Sequence, residues 1–563
     1  MMALHNRLTA TMFVLACALC AAGPITAKAQ DVTTASEKGG KCSIGGADFV
    51  DPLSAPHWNG WGVDPSQHRF QPSIMAQLAP DDVPRLKVKW AFGYPGAVRA
   101  FAQPTIVAGR LFVGSQNGKV YSLDSDSGCT YWEFNADKPV RSAIVIGQRA
   151  DGWSAYFGDV GANVYAVDAL TGRELWKTRV EDHPAARVTG SPTLVGATLF
   201  VPVSSIEEGT GANPNYSCCS FRGSIVALEA STGKLQWKGY TIMQEAKPTA
   251  ANSAGVQMTG PSGAAIWSSP TFDGITRRVY VTTGDNYSDP PTDTSDAILA
   301  YDAESGGLVW SRQMTTGDAY NLACVRTERA NCPQADGPDY DFGSSAVLTL
   351  LPGGRRALIG AQKSGIVTAV DPDRSGEIIW QKKVGRGGKL GGVQWGVATD
   401  ENTVYVAVSD LKLNAVEPGV PGAQTSSFNP KVAFLLDDKV GGGLHALNIE
   451  TGEEIWQTPH PGCNDVPGCS PAQSAAVTAI PGIVFSGGID GHLRAYSAKD
   501  GRIVWDVDTK TEYRTVNGVA AHGGSIDGPG AVVVGGTVYV NSGSRFFGTL
   551  PGNVLLAYSV DGR

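Results

Sequence analysis

The stretch YAVDALTGRELW, residues 165–176, decides the fold. Its opening residues alternate as a strand does, Asp168 to Gly172 supply turn formers, and Glu174 to Trp176 begin a second strand ending on tryptophan, which is a β-hairpin pattern. The unit recurs as YSLDSDSGCTYW ending at Trp132, VALEASTGKLQW at Trp237, LAYDAESGGLVW at Trp310, TAVDPDRSGEIIW at Trp380, HALNIETGEEIW at Trp456 and RAYSAKDGRIVW at Trp505. These seven copies stand 44 to 76 residues apart, and most follow another apolar pair such as SPTLVGATLFVPV, so each repeat supplies four strands. Four antiparallel strands recurring in this way indicate a β-propeller with loops of unequal length. The chain ends in NVLLAYSVDGR, half a unit with no tryptophan after it, while LKVKWAF at Leu86 to Phe92 is a second half with nothing before it. Pairing the two makes eight blades and removes an exposed edge. The expected architecture is all-β: an eight-bladed propeller of four-stranded blades over residues 86–563, closed by its terminal strands, behind an N-terminal extension and cap at 30–85. The eight blade tryptophans are assigned to packing between blades.

The 563 residues carry 45 basic and 53 acidic side chains, a net charge of −8 that gives no reason to expect a nucleic-acid partner. Seventy glycines and 33 prolines beside 42% hydrophobic residues describe a turn-rich chain with a core, not a disordered one. Residues 1–29 read as a signal peptide: His5 and Arg7, the apolar run TMFVLACALCAAG, then Ala27-Lys28-Ala29 as a cleavage site. Cys17 and Cys20 in that run leave a lipoprotein as the alternative. No later stretch is apolar enough to span a membrane, so a periplasmic protein without a membrane span is expected. Export suits the eight remaining cysteines. Cys324 with Cys332 and Cys463 with Cys469 read as loop staples, which leaves Cys42 with Cys129 and the adjacent pair Cys218-Cys219. There is no CxxCH haem motif, no GxGxxG entering a helix and no GxSxG elbow, and the histidines are scattered.

The opener HWNGWGVDPSQHRFQ followed by LKVKWAF, the tryptophan-ended hairpins, and IWSSPTFDGITRRVYVTTGDNYSDP together resemble the pyrroloquinoline quinone (PQQ) dependent alcohol dehydrogenases over nearly all of the chain. Within that family, VTGSPTLVGATLFVPVSSIEEG, YSCCSFRGSIVALEASTG, GPDYDFGSSAVL and IPGIVFSGGIDGHLRAY resemble the polyvinyl-alcohol dehydrogenases. The hairpins are shared with non-enzymatic scaffolds, so the loop segments carry the functional inference.

The resemblance implies a site. Ser204-Ser205-Ile206-Glu207 resembles the family's metal-binding Ser-Gly-Ala-Glu element and makes Glu207 a metal ligand. Trp267 corresponds to the tryptophan under the quinone, and Thr283-Gly284-Asp285 to a Thr-Gly-Asn element, with Asp285 in place of the ligating asparagine and Asn286 as an alternative donor. These oxygens suit calcium or a lanthanide. The catalytic base is expected at Asp339 in PDYDFGSSAVL, because Asn321 stands where a direct alignment would seek it; Asn321 to Asp336 is then an insertion looped by Cys324 and Cys332. Asp341 resembles the additional carboxylate of lanthanide-using members, a further metal ligand beside Asp339. Lys363, Arg141 and Thr189 resemble contacts to the quinone's carbonyls and carboxylates, and Trp395 and Gly523-Gly524 resemble pocket lining. Cys218-Cys219 could lie on the quinone face, as a vicinal pair does in many family members, or merely stiffen a loop.

The expected activity is a PQQ- and metal-dependent oxidation of secondary alcohol groups in polyvinyl alcohol or similar oligomers, with a separate soluble cytochrome c taking the electrons and no haem in this chain. The alternatives are a quinoprotein for small alcohols or sugars, and a non-enzymatic scaffold like the outer-membrane assembly lipoproteins.

Overall fold

A computed structural model describes residues 40–563 apart from 44–48, 50, 422, 426–432, 464–465, 467–468 and 546–547. The signal-peptide segment lies outside the described residues. Eight four-stranded antiparallel sheets follow one another along the chain. Blades 1 to 7 have their fourth strands at Thr130–Asn135, Glu174–Arg179, Leu235–Tyr240, Leu308–Gln313, Glu377–Lys383, Glu454–Pro459 and Ile503–Asp508. Blade 8 takes three strands, Val532–Val534, Thr537–Ser542 and Val554–Val560, from the end of the chain, and its fourth, Leu86–Gly93, from the beginning. The eight-bladed ring read from the sequence is present, closure included. Leu86 pairs with Val560 and Gly93 with Val554, so the last strand has a partner on either side.

The repeat's tryptophan explains how blades adhere. Trp132 donates from its indole to Ala169 O of the next blade at 3.0 Å, and Trp90, Trp176, Trp237, Trp380 and Trp456 make the same bond, to Ser125, Ala230, Ala303, Ile449 and Ala498. Each ring also lies flat on the glycine of the neighbouring hairpin turn. At Gly172 and Gly306 φ is +73° and +71°, and a Cβ would sit 2.8 and 2.4 Å from the ring of Trp132 or Trp237, so neither conformation nor space admits a side chain. Trp310 packs on Gly376 likewise, but its indole N–H has no partner among the described residues, the turn it faces, DPDRSG, being one residue longer than its counterparts. At the closing interface Trp505 meets Tyr558 edge-on at 5.3 Å instead.

The opener crosses the axis and touches the innermost strand of every blade. Trp58 exchanges backbone bonds with Ile106, Asn59 grips Ile146, Gln67 reaches Thr193, and Pro65, Ser66 and His68 accept from Phe272, Leu348 and Thr399. Gln71 bonds Ala479 and Val533 in blades 7 and 8. Arg69, 1% exposed, donates to Val477 O, Trp61 O, Gln103 Oε1 and Thr478 Oγ1 and lies over the rings of Trp58 and Trp61.

All four disulfides form: Cys42–Cys129, Cys218–Cys219, Cys324–Cys332 and Cys463–Cys469. No described helix is long and apolar enough to cross a membrane.

A chain ending at Gly552 lacks the strand Val554–Val560 and its fully buried Leu555, Leu556 and Ala557. It is expected to lose cooperative thermal unfolding by circular dichroism, since blade 8 would be left as two separated edges; a truncated chain melting like the full one would contradict the closure.

Candidate functional site

In an antiparallel blade the turns joining strands 1–2 and 3–4 fall on one face, and the 2–3 turns and the crossovers to the next blade fall on the other. Every site residue expected from the sequence lies on a 2–3 turn or a crossover, so the ring gathers them on one face although they are scattered from Arg141 to Trp395 along the chain.

At its centre Lys363 Nζ contacts Asp339 Oδ1 at 2.6 Å and Asp341 Oδ2 at 2.8 Å. Asp341 Oδ1 accepts the backbone N–H of Asp285 at 2.7 Å. Gly284 makes this approach feasible, because a Cβ there would lie 2.7 Å from that same oxygen. The carboxylates of Asp285, Asp339 and Asp341 each offer an oxygen within 4.8 Å of the others, and all three residues are buried. Asp339 adopts φ +61°, and Asp318 holds it there by accepting the N–H groups of Asp339 and Tyr340.

The charge balance is uneven. Glu208, Asp296 and Asp318 also act electrostatically on this group, giving six carboxylates against Lys363 and Lys389. Burial, and then the neighbouring carboxylates, push Asp285 and Asp296 well above the ordinary aspartate range. Asp339 is pushed up by burial and by Asp341 and Glu208 against the opposing pull of Lys363, and Glu208 is raised to about 7, chiefly by burial. Asp285 Oδ2 and both oxygens of Asp296 have no hydrogen-bond partner among the described residues. Clustered hard oxygen donors, an orphaned carboxylate oxygen and surplus negative charge fit a hard cation of high charge.

Glu207 does not join them. Its carboxylate is fully buried and accepts from Tyr216 Oη at 2.8 Å, Ser220 N at 2.9 Å and Phe221 N at 2.8 Å, with His183 Nε2 at 3.4 Å. Burial alone would raise its pKa, but these donors outweigh it and hold Glu207 below the usual range. Its acceptor positions are spent inside its own loop, and the carboxylate of this segment that faces the cluster is the next residue, Glu208. Sequence reading could not separate the two, because neighbours on the single helical turn Glu207–Thr210 project in different directions.

Around the cluster, Lys363 Nζ stands 5.7 Å from the centroid of Trp267, and Trp395 meets Trp267 edge-on at 5.3 Å. Trp267 is seated against Gly343, where a Cβ would come 2.2 Å from the ring. The half-buried guanidinium of Arg141 lies 4.6 Å from the Trp395 centroid, with no acceptor at hydrogen-bonding distance among the described residues, and desolvation lowers its pKa to about 10. Thr189 bonds Ser204 at 2.7 Å, and the adjacent Gly190 abuts Ser268, next to Trp267. An aromatic floor rimmed by Lys363 and by the Arg141 guanidinium fits a flat polyanion such as a tricarboxylated quinone. Cys218 and Cys219 are fully buried in a cluster with Val203, Phe221 and Tyr287, and the backbone of the pair bonds Thr259. Asn321 is buried too, its side chain tied to Tyr287 O and Asn331 O, away from any base role. Sequence reading missed Glu208, Asp296, Asp318 and Lys389; Asp318 precedes Ala319-Tyr320-Asn321, the segment where a direct alignment seeks the base.

Comparisons with known proteins bear on the family and the fold. Residues 58–324 match the family described as glucose/ethanol/alcohol dehydrogenase, beta-propeller domain, and residues 363–561 that of the outer membrane protein assembly factor BamB. A polyvinylalcohol dehydrogenase of Pseudomonas sp. is 42% identical, over 93% of this chain and 80% of its own. Another from Sphingopyxis sp. strain 113P3 is 40% identical, over 91% of this chain and 78% of its own. Among solved structures, the quinohemoprotein alcohol dehydrogenase of Comamonas testosteroni superposes with a TM-score of 0.62 at 19% identity, covering 90% of this chain and 81% of its own. A europium-containing methanol dehydrogenase gives 0.63 at 16%, covering 90% and 98%. At these identities the structures support the fold alone.

A carboxyl whose folded pKa is raised contributes stability below its unfolded pKa and loses it as pH climbs through the folded value. The cation-free protein is therefore expected to weaken as pH climbs from about 4, where the unfolded carboxyls ionise, through the raised folded values of Asp285, Asp296 and Asp339, and added calcium or lanthanum to stabilise it more at about pH 8 than at about pH 5. Thermal melts would show this as a growing upward shift, abolished in Asp339→Asn/Asp341→Asn; no shift, or a larger one at low pH, would contradict the cation site.

Proposed function

The chain belongs to the PQQ-dependent alcohol dehydrogenases, and from that premise we propose that it oxidises secondary alcohol groups of polyvinyl alcohol or similar oligomers, with Asp339 as general base. The observation that carries the assignment is the buried set Asp285, Asp339, Asp341 and Lys363 beside the face of Trp267.

In this reading Trp267 would support the quinone, Arg141 and Thr189 would hold its carboxylates, and Lys363 would donate to its carbonyls. Asp285, Asp339, Asp341 and Glu208 would hold the cation; calcium and a lanthanide both suit these donors, and the surplus of carboxylates favours the trivalent ion. When bound, the quinone would supply the two-electron oxidant for the carbinol carbon, and the cation the Lewis acidity that polarises the quinone's carbonyl. Asp339 takes the hydroxyl proton at a carboxylate oxygen. Lys363, 2.6 Å from Oδ1, opposes the upward push of burial on Asp339 and fixes its direction. The acceptor in this reading is a separate soluble cytochrome c in the periplasm. The scaffold alternative needs none of these carboxylates.

The test is reconstitution of purified protein with PQQ and calcium, or with PQQ and lanthanum, followed by dye reduction with a short polyvinyl alcohol and ethanol in competition. Activity should require both additions, and Asp339→Asn should lower kcat by about 10²–10⁴ with quinone binding retained. Full activity in Asp339→Asn would remove it as the base, and preference for ethanol would redirect the substrate to small alcohols.

A further inference from the structure

We infer that a small cleft beside Trp395 is a second hydroxyl subsite, which holds a hydroxyl of a polyhydroxylated aliphatic chain while another hydroxyl of that chain is presented to Asp339. The inference rests on the activity proposed above and adds to it how an oligomer is distinguished from a small alcohol.

The cleft lies on the site face, on the crossovers into blades 6, 7 and 8 and the adjoining turns. Leu390, Trp395, Leu411, Ser474, Ile489 and Asp527 line it, and its volume of about 30 Å³ suits one group the size of a water molecule. Asp527 supplies the polar end. Its Oδ1 accepts from Trp395 Nε1 at 2.7 Å and from Ser474 Oγ at 2.8 Å, whereas its Oδ2 has a single long contact of 3.4 Å, from Ser544 Oγ, among the described residues. A carboxylate oxygen accepts two hydrogen bonds, so Oδ2 retains capacity for a hydroxyl donor.

The electrostatics select a neutral ligand. Arg141 and Arg99 both interact with the charge of Asp527, so an ammonium group would find that charge already countered, while a carboxylate would meet Asp527 itself. The opposite wall is apolar: Ile489 packs with Leu411, Ala472 and Leu436. A hydroxyl flanked by methylene groups satisfies both walls, which is the chemistry of a carbon chain hydroxylated at intervals.

The reach also discriminates. From Asp339 the contacts run through Lys363 at 2.6 Å, the Trp267 ring at 5.7 Å and the Trp395 ring at 5.3 Å before Asp527 is met. The two ends are thus set apart by the Trp267 and Trp395 rings, and a monohydric alcohol, with one hydroxyl, cannot occupy both subsites.

The experiment compares kcat/KM for 2-butanol and for a vinyl-alcohol oligomer of about ten units in holoenzyme loaded with quinone and cation, for wild type, Asp527→Asn and Ser474→Ala. Asp527→Asn keeps an acceptor for Trp395 and removes the charge offered to the ligand. It should lower kcat/KM for the oligomer about tenfold, mainly through KM, and Ser474→Ala should lower it about threefold, with both variants within about twofold of wild type on 2-butanol. A parallel fall on both substrates with weaker quinone binding by absorbance titration would overturn the subsite and leave Asp527 a support for Trp395. Unchanged oligomer kinetics would overturn it as well. Wild type that oxidises neither substrate would instead overturn the dehydrogenase reading, and the subsite would fall with it.

Discussion

The contact between each outer-strand tryptophan and the glycine turn of the following blade is the constraint on which the rest depends. It sets the spacing and tilt of neighbouring sheets at seven of eight interfaces, and an error there would accumulate around the ring instead of staying local. Each ring buries a large apolar surface and in most cases satisfies its one polar atom on a backbone carbonyl, so the contact is both strong and directional. The interfaces themselves are filled by clusters of Val, Leu, Ile and Ala from adjacent blades. The opener adds a second set of ties at the axis, where Arg69 binds backbone and side-chain oxygens that would otherwise be buried without donors.

A ring closed in this way permits a site that no single blade would tolerate. Buried carboxylates repel one another and pay heavily for desolvation, and Lys363 and Lys389 leave most of that negative charge uncompensated. Backbone donors position the group: Asp285 N on Asp341, and the amides of Asp339 and Tyr340 on Asp318. The scaffold holds the carboxylates close together, and a bound cation would relieve what the scaffold enforces. Trp267 and Trp395 then form the apolar wall beside the charged one, which is the combination needed to hold a flat anionic cofactor against a cation.

Much of this was legible in the sequence because the repeat is periodic and carries its own punctuation. Tryptophan and turn glycine recur in register, and the two orphan half-units at the termini announce the closure. Asp285, Asp339, Asp341 and Lys363, which only the family resemblance singled out, lie together in the structure although they come from three separate loops. What resisted reading is directional or long-range. Glu207 and Glu208 are indistinguishable as letters, and it is Tyr216 with the amides of Ser220 and Phe221, thirteen and fourteen residues on, that draws the first away from the cluster. Asp296 and Asp318 look like ordinary turn residues until the fold sets them beside Asp339 and Asp341. Lys389 sits in the glycine-rich GRGGKLGG, whose path no periodicity predicts, yet its ammonium lies 3.4 Å from the Tyr320 ring at the edge of the site.

The central claim, that the carboxylates about Asp339 are a cation site from which Glu207 is excluded, can be tested most directly by anomalous diffraction from a crystal of the protein with bound lanthanide. The account predicts a single strong peak at coordination distance, about 2.3–2.6 Å, from oxygens of Asp285 and Asp341, with Glu208 and Asp339 completing the shell and Glu207 still bound to Ser220 and Phe221. A peak ligated by Glu207, or no peak at this cluster in crystals that bind the ion elsewhere, would contradict it.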